Sequence, residues 1–228
     1  MSSDGKMIGG ILVLSIVIIG LIIGLGGQSQ SNTVNQEPIK VETGELVRPD
    51  AQTLGLAEAP VTVVEFADFQ CPACALATPI LNQLIIDHPD QVRLVYRHLP
   101  LTSIHANAFS SAQAAEAAGA QGQFWEMHDL LYANQKEWEK VTDAQTTFAD
   151  YAVSLGLDRD QFQKDFTKSE FIDRIRLGLG DSQTLGLQST PTIFVNGVKA
   201  DSFDKQTLED AISAALSAPA QPTSSPMQ

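Results

Sequence analysis

The chain has 228 residues, 43% of them hydrophobic and 18% charged, which is ordinary for a globular protein and enough to bury a substantial core. Its 14 basic and 27 acidic residues give a formal net charge of −13 at pH 7. This balance argues against a nucleic-acid partner, because binding to phosphates requires a basic surface.

The N-terminal region contains an uncharged apolar run from Met7 to Gly27. As a helix, residues 8–25 would span roughly 27 Å, close to the thickness of a bilayer's hydrocarbon core. We therefore predict one N-terminal transmembrane helix within residues 1–27. Lys6 before it favours a cytoplasmic N-terminus and an extracytoplasmic remainder, in the periplasm or at the cell surface. The alternative is a cleaved signal peptide, although no A-x-A-like site follows Leu25. Under either interpretation the rest of the chain is exported.

Two polar segments flank the predicted globular part. Residues 28–60 are rich in Gln, Ser, Asn and Glu and predict a linker, with a short ordered segment near "GELVRPDAQTLG". Residues 217–228 are rich in Pro and Ser and predict a disordered tail. The globular part is therefore predicted to cover residues 61–216.

The globular part begins with a strand–helix–strand pattern. Val61–Phe66 is a short β-branched run typical of a buried strand, and a helical pattern begins at Pro72 and must end before Pro89. Gln91–Leu99 predicts a second strand, parallel to the first through a right-handed crossover. Several helical segments follow, then a hairpin in "TPTIFVNGVKA" and a final amphipathic helix in "DKQTLEDAISAAL". This order predicts an α/β fold.

Cys71 and Cys74 are the only cysteines in the chain. A zinc site would need four ligands, and the four histidines lack paired spacing. A disulfide that closes so short a loop would stabilise the fold little, and haem attachment would need a histidine where Ala75 stands. Thiol–disulfide chemistry therefore fits best, and an inert pair is the alternative.

The position of Cys71 supports a reactive thiol. It precedes a predicted helix whose first residue, Pro72, suits that position. Free N–H groups and the helix dipole there favour a thiolate and can lower a cysteine pKa into the range of roughly 3.5–7.5. Cys74 lies one turn further on the same face. We expect Cys71 to be the exposed nucleophile and Cys74 the buried resolving cysteine.

The motifs "VEFADFQCPAC" and "STPTIFVNG" resemble the DsbA-like branch of the thioredoxin superfamily, over about residues 61–216. The resemblance implies a thioredoxin fold with a helical domain inserted at about residues 102–187. We predict no cofactor and no metal site. It implies that Thr190-Pro191 forms a cis-proline loop whose backbone pairs with an extended substrate, next to Pro72 and Ala73. Glu65 matches an acidic residue beneath the cysteines that can exchange a proton with Cys74. The alternative is that Glu65 faces solvent.

Four further polar residues near these motifs receive structural interpretations. We expect Asp68 and Gln70 to shape the loop before the cysteines, and His98 and His105 to be structural. Ala73 departs from the strongly oxidising members, which carry a histidine before the second cysteine. The Cys71 thiolate should therefore be less stabilised, and the disulfide less oxidising, than in those members.

These observations predict a membrane-anchored, extracytoplasmic oxidoreductase that donates its Cys71–Cys74 disulfide to cysteine-containing exported proteins. The resemblance implies reoxidation by a membrane quinone-linked partner. One alternative is a disulfide reductase or isomerase, although residues 28–60 are too short for the dimerisation domain typical of isomerases. A second is a peptide-binding holdase without redox turnover.

Overall fold

The computed structural model of the chain describes residues 39–218. The predicted transmembrane segment, the first part of the predicted linker and most of the predicted tail lie outside these residues. Within the described range, no helix has the length and apolarity needed to cross a membrane.

The secondary structure alternates between a small sheet and a large helical region. In chain order, the elements are α1 (Thr43–Leu46), β1 (Gln52–Leu54), β2 (Val61–Ala67), α2 (Pro72–Asp87), β3 (Val92–His98), α3 (Ala108–Gly119), α4 (Phe124–Ala133), α5 (Gln135–Trp138), α6 (Gln145–Ser154), α7 (Arg159–Phe166), α8 (Ser169–Thr184), β4 (Thr192–Val195), β5 (Val198–Lys199) and α9 (Lys205–Ser217).

The five strands of the sheet have the order β1-β3-β2-β4-β5. The pairing of β2 with β3 is parallel, which confirms the predicted βαβ unit, and the other pairings are antiparallel. All seven residues of β2 are buried, because helices cover both faces of this central strand. Val61 and Val63 pack with α2 and α9 on one face, whereas Val64 and Phe66 pack with α1 on the other.

The sheet begins earlier in the chain than the sequence predicts. The segment from residue 39 lies within the predicted 28–60 linker, yet Lys40 bridges to Val198 at one edge of the sheet. β1 then pairs with β3 at the opposite edge. The predicted start at residue 61 is therefore too late. A three-residue strand with one exposed and two half-buried residues has almost no periodicity to detect.

Six helices, α3 to α8, lie between β3 and β4, where the resemblance places an inserted helical domain. Two contacts fix this region against the carboxyl end of β3. Glu116 on α3 accepts hydrogen bonds from His98 Nε2 at 2.8 Å and from Arg174 on α8. Gly178 lets α8 approach closely, because a Cβ there would lie 2.4 Å from the His98 carbonyl oxygen. The structural role expected for His98 matches this contact.

Candidate active site

Cys71 occupies the N-cap of α2, and Pro72 begins the helix. Cys71 has extended backbone angles, φ −74° and ψ 122°, so its side chain lies where the first helical N–H groups are free of partners. The Cys71 N–H donates to the Asp68 carbonyl at 3.0 Å, which closes the turn between β2 and α2. Cys74 is fully buried, as predicted, whereas Cys71 is only 7% exposed, so the prediction of an exposed Cys71 is wrong: the Thr190 carbonyl lies against its sulfur.

The turn before Cys71 is held by two buried side chains. Asp68 accepts hydrogen bonds from the N–H of Gln70 at 2.8 Å and, through its other oxygen, from His105 Nδ1 at 2.7 Å. The Gln70 side chain accepts from the Asn107 N–H at 2.7 Å and donates to the Glu139 carbonyl at 2.7 Å. These contacts agree with the loop-shaping role expected for Asp68 and Gln70, because they link the cysteine turn to the helical region.

The loop before β4 brings Thr190 and Pro191 against the cysteines. The Thr190-Pro191 peptide bond is cis, as the resemblance implies. The Cys71 sulfur lies 3.3 Å from the Thr190 carbonyl oxygen, although the two residues are 119 positions apart in the chain. Pro72 is exposed and Ala73 half-buried beside the same sulfur. Of the four predicted substrate-binding positions, Thr190 thus contacts Cys71 directly, Pro191 follows it in the loop, and Pro72 and Ala73 follow Cys71 in the chain.

The Cys71 thiol has an acidic pKa, lowered from 9.0 to about 5. The main cause is a hydrogen bond with the Cys74 side chain; the Thr190 side chain and the backbone of Cys74 and Ala73 lower the pKa as well, whereas burial raises it. None of these donors is a cation. The structure therefore stabilises a Cys71 thiolate at neutral pH without a histidine at position 73.

Cys74 is a weaker acid than an ordinary cysteine. Burial raises its pKa well above the ordinary value, and the hydrogen bond with Cys71 acts in the same direction. At neutral pH the dithiol pair therefore consists of a Cys71 thiolate and a Cys74 thiol that donates a hydrogen bond to it.

Glu65 is fully buried on β2, and neither of its carboxyl oxygens has a hydrogen-bond partner in the described residues. The alternative that it faces solvent is therefore wrong. Burial, and then the charge of Cys71, raise its pKa to about 8, so the carboxyl group is protonated at neutral pH. In its charged form this carboxyl group would also raise the pKa of Cys74.

A group of buried polar rings lies below this pair, and sequence reasoning did not identify it. Tyr96 is the β3 residue in register with Glu65, and its hydroxyl lies 3.2 Å from that of Tyr132 on α4. His128, also on α4, packs against both tyrosine rings. Pairing the two predicted strands in parallel from Val61 and Val92 would have placed Tyr96 beside Glu65. No sequence signal indicated the two α4 residues.

No group of three or more His, Cys, Asp or Glu side chains within residues 39–218 is arranged to hold a metal ion.

Comparisons with known families and solved structures all match thioredoxin-like proteins. A family model described as thioredoxin matches residues 48–214. The crystal structure of a thioredoxin-like oxidoreductase from Silicibacter pomeroyi superposes with a TM-score of 0.69 and 31% identity, covering 78% of this chain and 100% of that one. The crystal structure of DsbA2 from Pseudomonas aeruginosa gives a TM-score of 0.61 and 28% identity, covering 74% of this chain and 96% of that one.

Curated relatives are much longer proteins. One from Salinispora tropica, named Na(+)/H(+) antiporter NhaA 3, is 45% identical over 152 residues, which are 66% of this chain and 22% of that protein. A second, from Salinispora arenicola and named Na(+)/H(+) antiporter NhaA 1, is 41% identical over 75% of this chain and 26% of that protein. The chain thus spans about a quarter of the length of these relatives, and their name describes proteins that extend far beyond the matched part.

Proposed function

The chain belongs to the DsbA-like branch of the thioredoxin family, and from that premise we propose that it is a protein thiol–disulfide oxidoreductase with Cys71 and Cys74 as its redox pair. One observation carries the proposal. The Cys71 sulfur, whose pKa is lowered to about 5, lies 3.3 Å from the carbonyl of the cis-proline loop, next to a buried thiol of raised pKa. This arrangement separates a nucleophile from a resolving thiol.

The reaction that we propose begins with the Cys71–Cys74 disulfide. A substrate thiolate attacks the Cys71 sulfur, the disulfide bond breaks, and Cys74 leaves as a thiolate. Glu65, neutral and buried nearby, supplies a proton to Cys74 and becomes a carboxylate. A second substrate thiolate then attacks the substrate sulfur of the mixed disulfide and releases Cys71 as a stabilised thiolate. The substrate loses two electrons, and the cysteine pair gains them.

The acidity of Cys71 supports donation of the disulfide rather than its removal from substrates. A thiolate with a pKa of about 5 is a good leaving group and stabilises the dithiol form of the protein at neutral pH. Stabilising the dithiol makes the disulfide more oxidising. We therefore favour a disulfide oxidase over a reductase or isomerase.

The cis-proline loop is the proposed docking site for substrates. Thr190 and Pro191 precede β4, and a groove of about 170 Å³ beside Pro191 is lined by residues between Ser189 and Phe203. We propose that an extended, cysteine-containing segment of an unfolded exported protein pairs with the loop backbone, while Pro72 and Ala73 contact it from the other side.

The proposed location and redox partner depend on the N-terminal sequence. The apolar run Met7–Gly27 supports an anchor that keeps the catalytic domain outside the cytoplasm. A membrane quinone-linked partner would then accept the two electrons and restore the disulfide.

The experiment that tests the function starts with the oxidised full chain in a mild detergent. It is mixed at equal concentration with a reduced peptide that contains two cysteines, and disulfides are counted by mass spectrometry after acid quenching. We expect the peptide to be oxidised as the cysteine pair becomes a dithiol, and the Cys71→Ser variant to be inactive. Full activity of that variant would show that the nucleophile is wrongly assigned. A peptide that stays reduced, while the reduced protein opens a disulfide peptide, would assign a reductase instead.

A further inference from the structure

The proposed reaction requires a proton to reach a site that is closed to water. At neutral pH the reduced pair holds a thiolate at Cys71 and a proton on Cys74, so one proton enters for each disulfide reduced. Cys74 and Glu65 are both fully buried. During the mixed disulfide, the substrate is bonded to Cys71 and covers that side of the site. A second route for the proton is therefore needed.

The first part of such a route lies directly below Glu65. Tyr96 is its neighbour on β3, and charges on Glu65 and Cys74 both act on the Tyr96 hydroxyl. The hydroxyls of Tyr96 and Tyr132 lie 3.2 Å apart. One of the two hydroxyl hydrogens forms the hydrogen bond between the two oxygens, and the other can be donated to another acceptor. Both Glu65 oxygens are buried acceptors with no partner in the described residues.

The second part of the route is His128. Its ring is 1% exposed and packs edge-on against Tyr96 and Tyr132, with ring centroids 5.3 Å and 5.0 Å apart. Its Nδ1 lies 2.9 Å from a carboxylate oxygen of Asp129. That contact indicates the tautomer with hydrogen on Nδ1, which leaves Nε2 as an acceptor. Nε2 is buried and has no partner in the part of the chain that the structure describes.

The route ends at the protein surface. The Asp129 side chain is 55% exposed, and Asn82 on α2 donates to it at 3.1 Å. Among the described residues, the charge of His98 on β3 also acts on His128, and the Nε2 of His98 is already bonded to Glu116. A ring that is buried on one side and bonded to a solvated carboxylate on the other has the connectivity of a proton shuttle.

We propose that Tyr132, Tyr96 and His128 form a proton path between Asp129 at the surface and the buried Glu65–Cys74 pair. When Cys74 leaves as a thiolate, Glu65 gives it a proton and is reprotonated through the two hydroxyls. His128 begins this half-reaction with its hydrogen on Nε2, gives that proton to the hydroxyls and takes one up at Nδ1 from solvent beside Asp129, which leaves the Nδ1-protonated tautomer that the dithiol structure indicates. The reverse transfers carry the proton out when the pair is reoxidised, so the ring returns to its starting form. One proton moves in each half-reaction, and no electrons move along the path.

The path is not continuous in the dithiol structure. Neither Glu65 nor His128 Nε2 makes a hydrogen bond to the tyrosine hydroxyls. The proposal therefore includes a small side-chain movement or one bridging water at each end of the hydroxyl pair.

The test compares variants of the full chain under the proposed function, on which the inference rests. The oxidised protein is mixed rapidly with excess small thiol, and formation of the dithiol is followed at pH 7 in H2O and D2O. His128→Phe keeps a ring of similar size but cannot carry a proton. We expect its rate to fall by on the order of tenfold, with a larger solvent isotope effect and an unchanged equilibrium reduction potential. Glu126→Gln, an exposed change on the same helix, should leave the rate, the isotope effect and the reduction potential unchanged.

A second variant distinguishes loss of proton transfer from a structural effect of the substitution. His128→Ala opens space for a small base, and added imidazole should restore part of the lost rate without changing the melting temperature. A His128→Phe protein with the rate and isotope effect of the wild type would overturn the path. Loss of rate with no change in isotope effect and no rescue by imidazole would also overturn it. Absence of exchange in the wild-type protein would instead contradict the proposed function.

Discussion

The pH dependence of the reduction potential tests the acidities assigned to the two sulfurs. Reduction of a disulfide takes up two electrons and as many protons as the two sulfurs bind. The pKa of Cys71 is lowered to about 5, whereas that of Cys74 is raised well above its ordinary value. Below pH 5 reduction should therefore take up two protons, and above pH 5 only one.

The expected slopes follow from the two-electron couple, for which a tenfold change in equilibrium constant is about 30 mV. The potential should fall by about 59 mV per pH unit below pH 5 and by about 30 mV per unit from pH 5 to 8. At pH 7, two units above the Cys71 pKa, the disulfide should be up to about 59 mV more oxidising than one with an ordinary thiol at Cys71. This difference corresponds to about 2.7 kcal/mol and is an upper value, because solvent at the site opening screens the thiolate.

The assay equilibrates the full chain with glutathione buffers between pH 4 and pH 8. Acid quenching and alkylation then give the dithiol fraction by mass spectrometry, and the pH dependence of glutathione is subtracted. A break in slope near pH 5 is the expected result. A uniform slope of about 59 mV per unit up to pH 8 would refute the reasoning, because Cys71 would then be protonated throughout. Glu65→Gln serves as the control, since it removes the other group expected to titrate near this range.

Three further predictions concern stability and trapping. The pKa of Glu65 is raised from 4.5 to about 8 in the folded chain, so its contribution to stability is complete below pH 4.5 and is lost as pH rises to 8. In the oxidised protein only burial raises this pKa, so urea unfolding should show a fall of up to about 3 kcal/mol in the free energy of unfolding by pH 7; a Glu65→Gln variant that keeps the same fall would contradict this. Cys74→Ser, mixed with a substrate that carries a disulfide, should accumulate a mixed disulfide between Cys71 and a substrate cysteine, visible on non-reducing gels, because the Cys74 sulfur that would displace the substrate is missing; a variant that releases substrate as fast as the wild type would show that Cys74 does not act on the mixed disulfide. Gly178→Ala should destabilise the protein by about 1–3 kcal/mol, because its Cβ would meet the His98 carbonyl, whereas Gly180→Ala on the exposed face of α8 should stabilise it by about 0.5–1 kcal/mol. Equal melting temperatures for these two glycine variants would contradict the close approach of α8 to β3.

The sequence predicted the site to the extent that short-range chemistry determines it. Cys71 and Pro72 are adjacent at a strand–helix junction, and local rules alone indicate a helix N-terminus there. Thr190 and Pro191 lie 119 and 120 positions beyond Cys71, and only the resemblance to a family connected them to it. The sequence also left undecided whether Glu65 is buried or faces solvent, because a single acidic residue in an apolar strand fits either face.

The polar rings below Glu65 could not have been predicted in the same way. Tyr132 and His128 lie on α4, in the helical insertion, and reach the sheet only because α4 packs beside α2. That packing depends on tertiary contacts that no local pattern encodes. The sequence indicated a short ordered segment near residues 44–55 but not that it holds the strand β1, since a strand of three residues at a sheet edge is stabilised by its partner rather than by its own composition.

The opposite acidities of Cys71 and Cys74 arise from a separation of only three residues. The first sulfur lies at the start of α2, where free N–H groups and a thiol donor surround it. The second is one turn inside the helix, where it is fully buried and burial raises its pKa. The protonation states of the two cysteines are coupled, because the Cys74 thiol can donate a hydrogen bond to a Cys71 thiolate only while it keeps its own proton. A change that hydrates Cys74 would therefore weaken the Cys71 thiolate as well, and the disulfide would become less oxidising even though no group in contact with the substrate had changed.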